Sequence, residues 1–286
     1  MKNESLPLKN VRYLPDNSIR LGFWRIFPEI FQEIKDNRWL IFQLFKRDFT
    51  AAYKQSMMGF FWAFVVPLIS IGTFLVLNRS GIFVIGNISV PYPVYAVLGM
   101  AFWQLFSSGL VATSQSLVLA GPMISKINFS KKSLVFASIG QGIVAFGVQM
   151  TLLIVLLLVY HVTPSLSILF LPLLMIPILF LTLGIGFFLS LINSVMRDIA
   201  NILPMFLTFL MFLTPVLYEK PAHGLLKQIN EVNPMYYFVL AARDLALNGQ
   251  IKEWHGFISA CAASVVIFFV SLFVFHLTET RITERV

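Results

Sequence analysis

The sequence predicts an all-α integral membrane protein, with six transmembrane helices behind an N-terminal amphipathic interfacial helix and re-entrant helices before the last span. Three observations carry that prediction. Hydrophobic residues make up 58% of the chain and charged residues only 12%, at a mean hydropathy of +0.82, whereas soluble domains are about half apolar and about a quarter charged. Runs of about 20 residues free of Asp, Glu, Lys and Arg recur along nearly the whole length, each enough to cross a hydrocarbon layer of roughly 30 Å as a helix. Basic residues collect in alternate connections between those runs. A soluble enzyme with a large buried core is excluded, and no stretch is left over for a sizeable soluble domain.

Residues 1–57 form a cytoplasmic N-terminal segment, 58–277 the transmembrane domain and 278–286 a cytoplasmic tail. Met1 to Arg25 mixes both signs of charge with prolines and lacks the apolar core of a secretory signal. From Pro28, a residue suited to a first helical turn, Ile30, Phe31, Ile34, Ile41, Leu44 and Phe45 fall on one side of a helix. Glu29, Glu33, Asp36, Lys46 and Arg47 fall largely on the other, and Trp24 and Trp39 suit the headgroup level. An interfacial helix, or one packed on a soluble partner, fits that pattern. Charge stops at Lys54, and the first span follows at once.

The spans run over about 59–77, 93–119, 134–160, 166–192, 202–217 and 257–276. Only His161-Val162-Thr163-Pro164-Ser165 separates the third from the fourth, where the proline disfavours continuing the helix. Tyr218 to Trp254 is amphipathic and reads as partly re-entrant. With the N-terminus inside, the inner segments hold the ten basic residues before Met57, then Lys126, Lys131, Lys132, Arg197, Arg281 and Arg285. The outer segments hold Arg79, Lys220, Lys227, Arg243 and Lys252. The positive-inside rule therefore puts both termini in the cytoplasm, and the net charge of +8 reads as orientation plus attraction to anionic lipid. Basic residues spread over four separate loops do not make a nucleic-acid patch.

Several functions are excluded by what the spans lack. No ionisable Asp, Glu, Lys or Arg lies within any of the six, and ion-coupled transporters place such groups at membrane depth. There is no phosphate-binding Gly-x-x-x-x-Gly-Lys-Ser/Thr loop, so active transport would need energy from another chain. Arg47-Asp48, Arg197-Asp198 and Arg243-Asp244 are split between the two faces of the membrane, and the histidines are scattered. No catalytic or metal-binding set is expected, and no cofactor in this chain. Cys261, alone in the last span, excludes an internal disulfide.

Small and mildly polar residues mark helix faces that meet protein: Thr182, Gly186, Ser190 and Asn193 in the fourth span, Ala137, Gln141, Ala145 and Gln149 in the third. The second span, with Gln104, Ser107, Ser108, Thr113, Ser114, Gln115 and Ser116, is the one with a claim to a lumen. Phe102, Trp103 and Phe106 there, and Phe206, Phe209 and Phe212 in the fifth span, are candidate channel-lining residues. Their flat apolar faces would let sugar rings slide past without trapping charge, although lipid-facing phenylalanine explains any single one equally well.

An ordered set of motifs resembles one family. Lys46-Arg47-Asp48-Phe49, Tyr53-Lys54-Gln55-Ser56, Gly59-Phe60-Phe61-Trp62 and Pro67 look like the N-terminal signature of type-2 ABC transporter permeases that export bacterial surface polysaccharides. Asn193-Ser194-Val195-Met196-Arg197-Asp198-Ile199 resembles the family's Arg-Asp loop, Thr214-Pro215-Val216-Leu217-Tyr218 its Pro-Val-x-Tyr segment, and Asn233-Pro234-Met235 with Arg243 its last extracellular element. One departure is Phe129-Ser130, where the family has Phe-Pro.

That resemblance implies a half-transporter in the bacterial inner membrane that pairs with a second copy of itself. Two ABC ATPase subunits would supply ATP and Mg, and the substrate would be a lipid-linked glycan of the O-antigen, capsule or teichoic-acid kind. Arg47, Asp48, Tyr53, Lys54 and Trp62 would then form the substrate entrance, with Arg47 and Lys54 receiving the anionic phosphate head; pairing of Arg47 with Asp48 is the plainer account. Ile124, Lys126, Ile127 and Phe129 would couple to the ATPase, with a topogenic charge cluster as the equal alternative for the lysines. A type-2 ABC permease for a drug or small amphiphile, and a non-transporting membrane assembly subunit, are the other readings of the same fold.

Overall fold

The computed structural model describes residues 22–54, 61–80, 86, 88, 90–124, 126, 129–220 and 223–282. Among these the regular structure is helical: α1 (Gly22–Asp36), α2 (Arg38–Lys54), α3 (Trp62–Arg79), α4 (Tyr92–Leu119), α5 (Gly121–Ile124), α6 (Lys132–Ser138), α7 (Gly140–Val159), α8 (Leu171–Val195), α9 (Ile199–Leu213), α10 (Leu225–Val232), α11 (Pro234–Arg243) and α12 (Trp254–Ile282). A 3₁₀ turn at Leu166–Phe170 leads into α8, and a π turn at Asp244–Asn248 follows α11.

Among the described residues, four helical stretches are long and apolar enough to cross a membrane: Tyr92–Leu119, Lys132–Val159, Leu166–Val195 and Trp254–Glu279. Trp62–Leu77 and Ile199–Leu213 are apolar but shorter. The expected boundaries shift accordingly. The third span is interrupted at Ile139, the fourth opens as 3₁₀, the fifth runs from Ile199 only to Leu213, and the sixth extends over Trp254–Ile282. Pro28 lies inside α1 rather than in its first turn, and the expected single interfacial helix is divided at Asn37.

The helix α4 is the axis of the bundle, the most enclosed of the four long apolar stretches, whereas α12 is the least enclosed. It packs on α7 and α8, and α8 packs in turn on α12. Glycine makes those contacts close. A Cβ at Gly142 would lie 2.9 Å from the backbone of Gly109, and one at Gly184 would lie 2.8 Å from the Phe268 backbone nitrogen, so α4–α7 and α8–α12 approach nearly main chain to main chain. The polar residues of α4 serve this packing. Thr113 and Ser116 are buried and donate to carbonyls one turn back, at 2.8 Å from Gly109 O and 2.8 Å from Thr113 O, while Asn193 Nδ2 of α8 donates to Ser114 O at 3.0 Å. Thr113, Ser114 and Ser116 are therefore protein interior, while Gln104, Ser107, Ser108 and Gln115 stay half-buried on the other face of α4.

The alternation of helix directions gives the bundle two ends. At one lie the start of α4, the end of α9 and the start of α12; there Ser165 N donates to Ala246 O at 2.9 Å. At the other lie the end of α4, the start of α6 and the end of α12. A second apolar cluster at this end joins Ile30 of α1, Leu44 of α2, Ile124, Leu134, Phe187 and Phe275. Amphipathic α1 is seated there through Phe27, 5.2 Å edge-on from Phe269.

Candidate functional site

Two family-like motifs, Thr214 to Tyr218 and Asn233 to Arg243, meet at the first end of the bundle. Helix α9 stops at Leu213, and the extended strand-like residue Thr214 begins an elbow. Because α9 stops at Leu213, the carbonyls of Pro215 and Val216 have no following helical N–H to accept from and are satisfied from other elements. Arg243, the last residue of α11, supplies the donors: its Nη1 donates to Pro215 O at 2.6 Å and to Tyr95 Oη at 2.8 Å, and its Nη2 donates to Val216 O. The guanidinium carbon also stands 3.6 Å from the centre of the Tyr95 ring. Tyr95 Oη in turn donates to Tyr218 O at 3.0 Å.

Asn233 closes the other side of the elbow. Its Oδ1 caps α11 by accepting from Met235 N at 3.0 Å, ahead of Pro234 in the first turn, and its Nδ2 donates to Thr214 Oγ1 at 2.7 Å. Arg243 is 4% exposed. Burial lowers its pKa to about 10, against the opposing pull of Tyr95 and Tyr92, so it stays charged at neutral pH. An outer-loop charge in the sequence reading is thus a buried clasp between α4, the α9 elbow and α11. Asp244 beside it is also buried and accepts from Lys252 N at 3.0 Å and Asn248 Nδ2 at 3.1 Å, which holds the π turn.

The opposite end carries the residues expected to meet an ATPase. Lys126 is exposed, Phe129 is half-buried against the second apolar cluster, and Ile127 lies outside the described residues. Ile124 is 7% exposed and turned into the core, so its side chain is packing rather than an outward contact. Lys132, read as a topogenic charge, is 2% exposed and donates from Nζ to Glu33 Oε2 of α1 at 2.9 Å and to Glu279 Oε2 of α12. Glu279 Oε1 also accepts from Lys131 N at 2.6 Å. Burial pushes the Glu33 carboxyl up, but the Lys132 charge and hydrogen bonds from Ser130 and Lys132 outweigh it and leave Glu33 below its usual value.

The proposed entrance is only partly assembled. Arg47 pairs with Asp48 at 2.8 Å and reaches Met123 Sδ of α5 at 3.5 Å, with its side chain about half exposed. Trp62 is 46% exposed at the start of α3. Tyr53 and Lys54 belong to the last turn of α2, and their side chains lie outside the described residues.

The two aromatic sets separate cleanly. Phe102, Trp103 and Phe106 are all within 3% of full burial, and Phe102 stacks edge-on with Phe146 of α7 at 5.1 Å. They are core within this chain, because α4 is enclosed by α7, α8 and α11. Phe206, Phe209 and Phe212 instead share one face of α9 with Ile202 and Met205, all substantially exposed, while Leu203 and Leu207 are buried on the other.

The bundle, its amphipathic preface and the clasped elbow belong to a recognisable class: a multi-pass helical membrane protein of transporter type. The family model for the ABC-2 type transporter matches residues 40–247, and the chain belongs to that family. It is 25% identical over 252 residues to the O-antigen export system permease protein RfbA of Klebsiella pneumoniae, covering 86% of this chain and 94% of that protein. A protein of the same name from Myxococcus xanthus is 22% identical over 262 residues, covering 89% and 98%.

Proposed function

We propose that this chain is the transmembrane permease subunit of an ATP-driven exporter that moves a lipid-linked polysaccharide, of O-antigen type first and of capsule or teichoic-acid type next, across the bacterial inner membrane. The observation that carries it is the full-length similarity to proteins named O-antigen export permeases, over 86% and 89% of this chain. The proposed arrangement has six membrane passes, counting α3 and α9 with the four longer helices, and both termini in the cytoplasm. That makes the Lys132 end cytoplasmic, as the positive-inside distribution of Lys and Arg favours, and the Arg243 end external, with α10 and α11 dipping back toward the bilayer.

A second copy of the chain and two ABC ATPase subunits complete the exporter, the ATPases holding ATP and Mg. Helix α9 is the element best suited to face the glycan path or the second copy, since Phe206, Phe209 and Phe212 offer an uncharged aromatic face. Arg47 and Lys54 stand at the mouth of α3 to attract the substrate's phosphate, and Lys126 and Phe129 stand where an ATPase would press.

The test is deletion of the gene with analysis of cytoplasmic glycan. The proposal expects a lipid-linked polymer to accumulate inside the cell and to vanish from the surface. Normal surface glycan after deletion would refute it.

A further inference from the structure

Lys132 occupies an unusual position for a basic residue beside a membrane. Positive charges that only set topology are free to face water, yet this ammonium is 2% exposed and is shared by carboxylates from two other helices, Glu33 of α1 and Glu279 near the end of α12. Lys131 adds a donation from its Nζ to Glu279 O at 3.0 Å. Lys131 and Lys132 thus grip α1 and α12 together. They close the connection between α5 and α6, where the ATPase is proposed to act.

We propose that Lys132 is a positioning residue that ties this connection to α1 and to the end of α12, so that a push on the connection moves all three as one body. A buried ion pair suits the task. Separating its partners strands a charge in a medium of low dielectric constant, whereas apolar surfaces of α1 and α12 could slide past α6 at little cost. The tie explains how a short connection could displace both the interfacial helix and the last transmembrane helix. The tie rests on the reading that a separate ATPase drives export.

The test uses the full-length chain in lipid nanodiscs and, with its ATPase, in vesicles loaded with lipid-linked glycan. Glu279→Gln leaves Lys132 in place as a topogenic charge and removes one grip. Hydrogen exchange of the amides near residue 279 in α12 should then rise at least tenfold with α1 unchanged, whereas the triple variant Lys132→Met/Glu33→Gln/Glu279→Gln should raise it both there and in residues 28–36 of α1. Exchange in α1 that the triple variant leaves unchanged would overturn the tie. In vesicles, Glu279→Gln and the charge-free triple variant Lys132→Met/Glu33→Gln/Glu279→Gln, which leaves no stranded charge to impair folding, should keep at least half of the ATP hydrolysis and lose at least tenfold in glycan exported per ATP. An unchanged ratio of export to hydrolysis would overturn the coupling role. Absence of any export by the wild-type complex would instead defeat the exporter reading, with the exchange measurement still deciding the tie.

Discussion

Replacing Arg243 by Met should loosen the end of the bundle that holds the α9 elbow more than any other single substitution there. Methionine keeps the length of the aliphatic stem and removes three donated hydrogen bonds, to Pro215 O, Val216 O and Tyr95 Oη. Hydrogen bonds to a charged group contribute about 1.5–3 kcal/mol each, and a buried acceptor left unpaired costs about 1–3 kcal/mol. Against this, burying the guanidinium without a carboxylate partner in its hydrogen-bond set costs several kcal/mol in the native protein, and the substitution returns that cost. The balance is a net loss of about 3 kcal/mol, at the upper end of ordinary single substitutions. For a chain of this size that corresponds to a fall in apparent Tm of roughly 6–12 °C. Thermal unfolding of the purified chain in nanodiscs, followed by a dye that reacts with the one thiol at Cys261, measures it directly. Arg243→Lys should recover less than half of the loss, because a single ammonium cannot span the fork held by the guanidinium. A Tm within about 2 °C of wild type for Arg243→Met would refute the clasp.

Asn233→Ala removes both the α11 cap and the bond to Thr214 Oγ1, and should cost about 1–2 kcal/mol, read as a smaller Tm shift than that of Arg243→Met. Gly142→Val puts branched carbons where Gly109 and the Leu105 carbonyl already sit; overpacking of about 3 kcal/mol or more is expected, and poor recovery of folded protein from membranes checks it. The Glu33 carboxyl has a folded-state pKa below its ordinary value of 4.5, so its contribution is present above the unfolded pKa and lost as pH falls through the folded one. Hydrogen exchange in α1 should accordingly be flat from pH 7 to 5, after correction for intrinsic rates, and rise below about pH 4, a rise absent in Glu33→Gln. Phe206→Ala, Phe209→Ala and Phe212→Ala should barely change Tm, since these rings are 46–61% exposed, while export should fall; a large Tm loss with export intact would contradict a functional face.

Membrane character, the order of apolar segments and the family were legible because each rests on composition or on local strings of residues. The amphipathic preface was legible too, as Ile30 and Leu44 are buried where helical periodicity puts them. Helix interruptions were less so. A pause at Ile139 has no proline or charge to mark it, and the boundary of α9 is set by the elbow, whose partners lie in other elements. The ionic tie was invisible for a simpler reason: Lys132 is 99 residues from Glu33 and 147 from Glu279, and nothing local distinguishes a paired lysine from a topogenic one. Aromatic strings alone did not distinguish the two helices, since it is packing that separates the enclosed rings of Phe102 and Phe106 from the exposed ones of Phe206 and Phe209. Arg243 offered one usable signal, a cation retained in an apolar stretch after an Asn-Pro cap, with a Pro-Val pair upstream to receive it.

The central claim is that this chain passes a lipid-linked glycan with energy from a separate ATPase. The most direct measurement is glycan transfer into the lumen of vesicles holding the chain and its ATPase, with hydrolysable ATP and with a non-hydrolysable analogue. Transfer that needs hydrolysable ATP and the ATPase is the predicted result. Movement of a small amphiphile with no transfer of glycan under the same conditions would contradict the account.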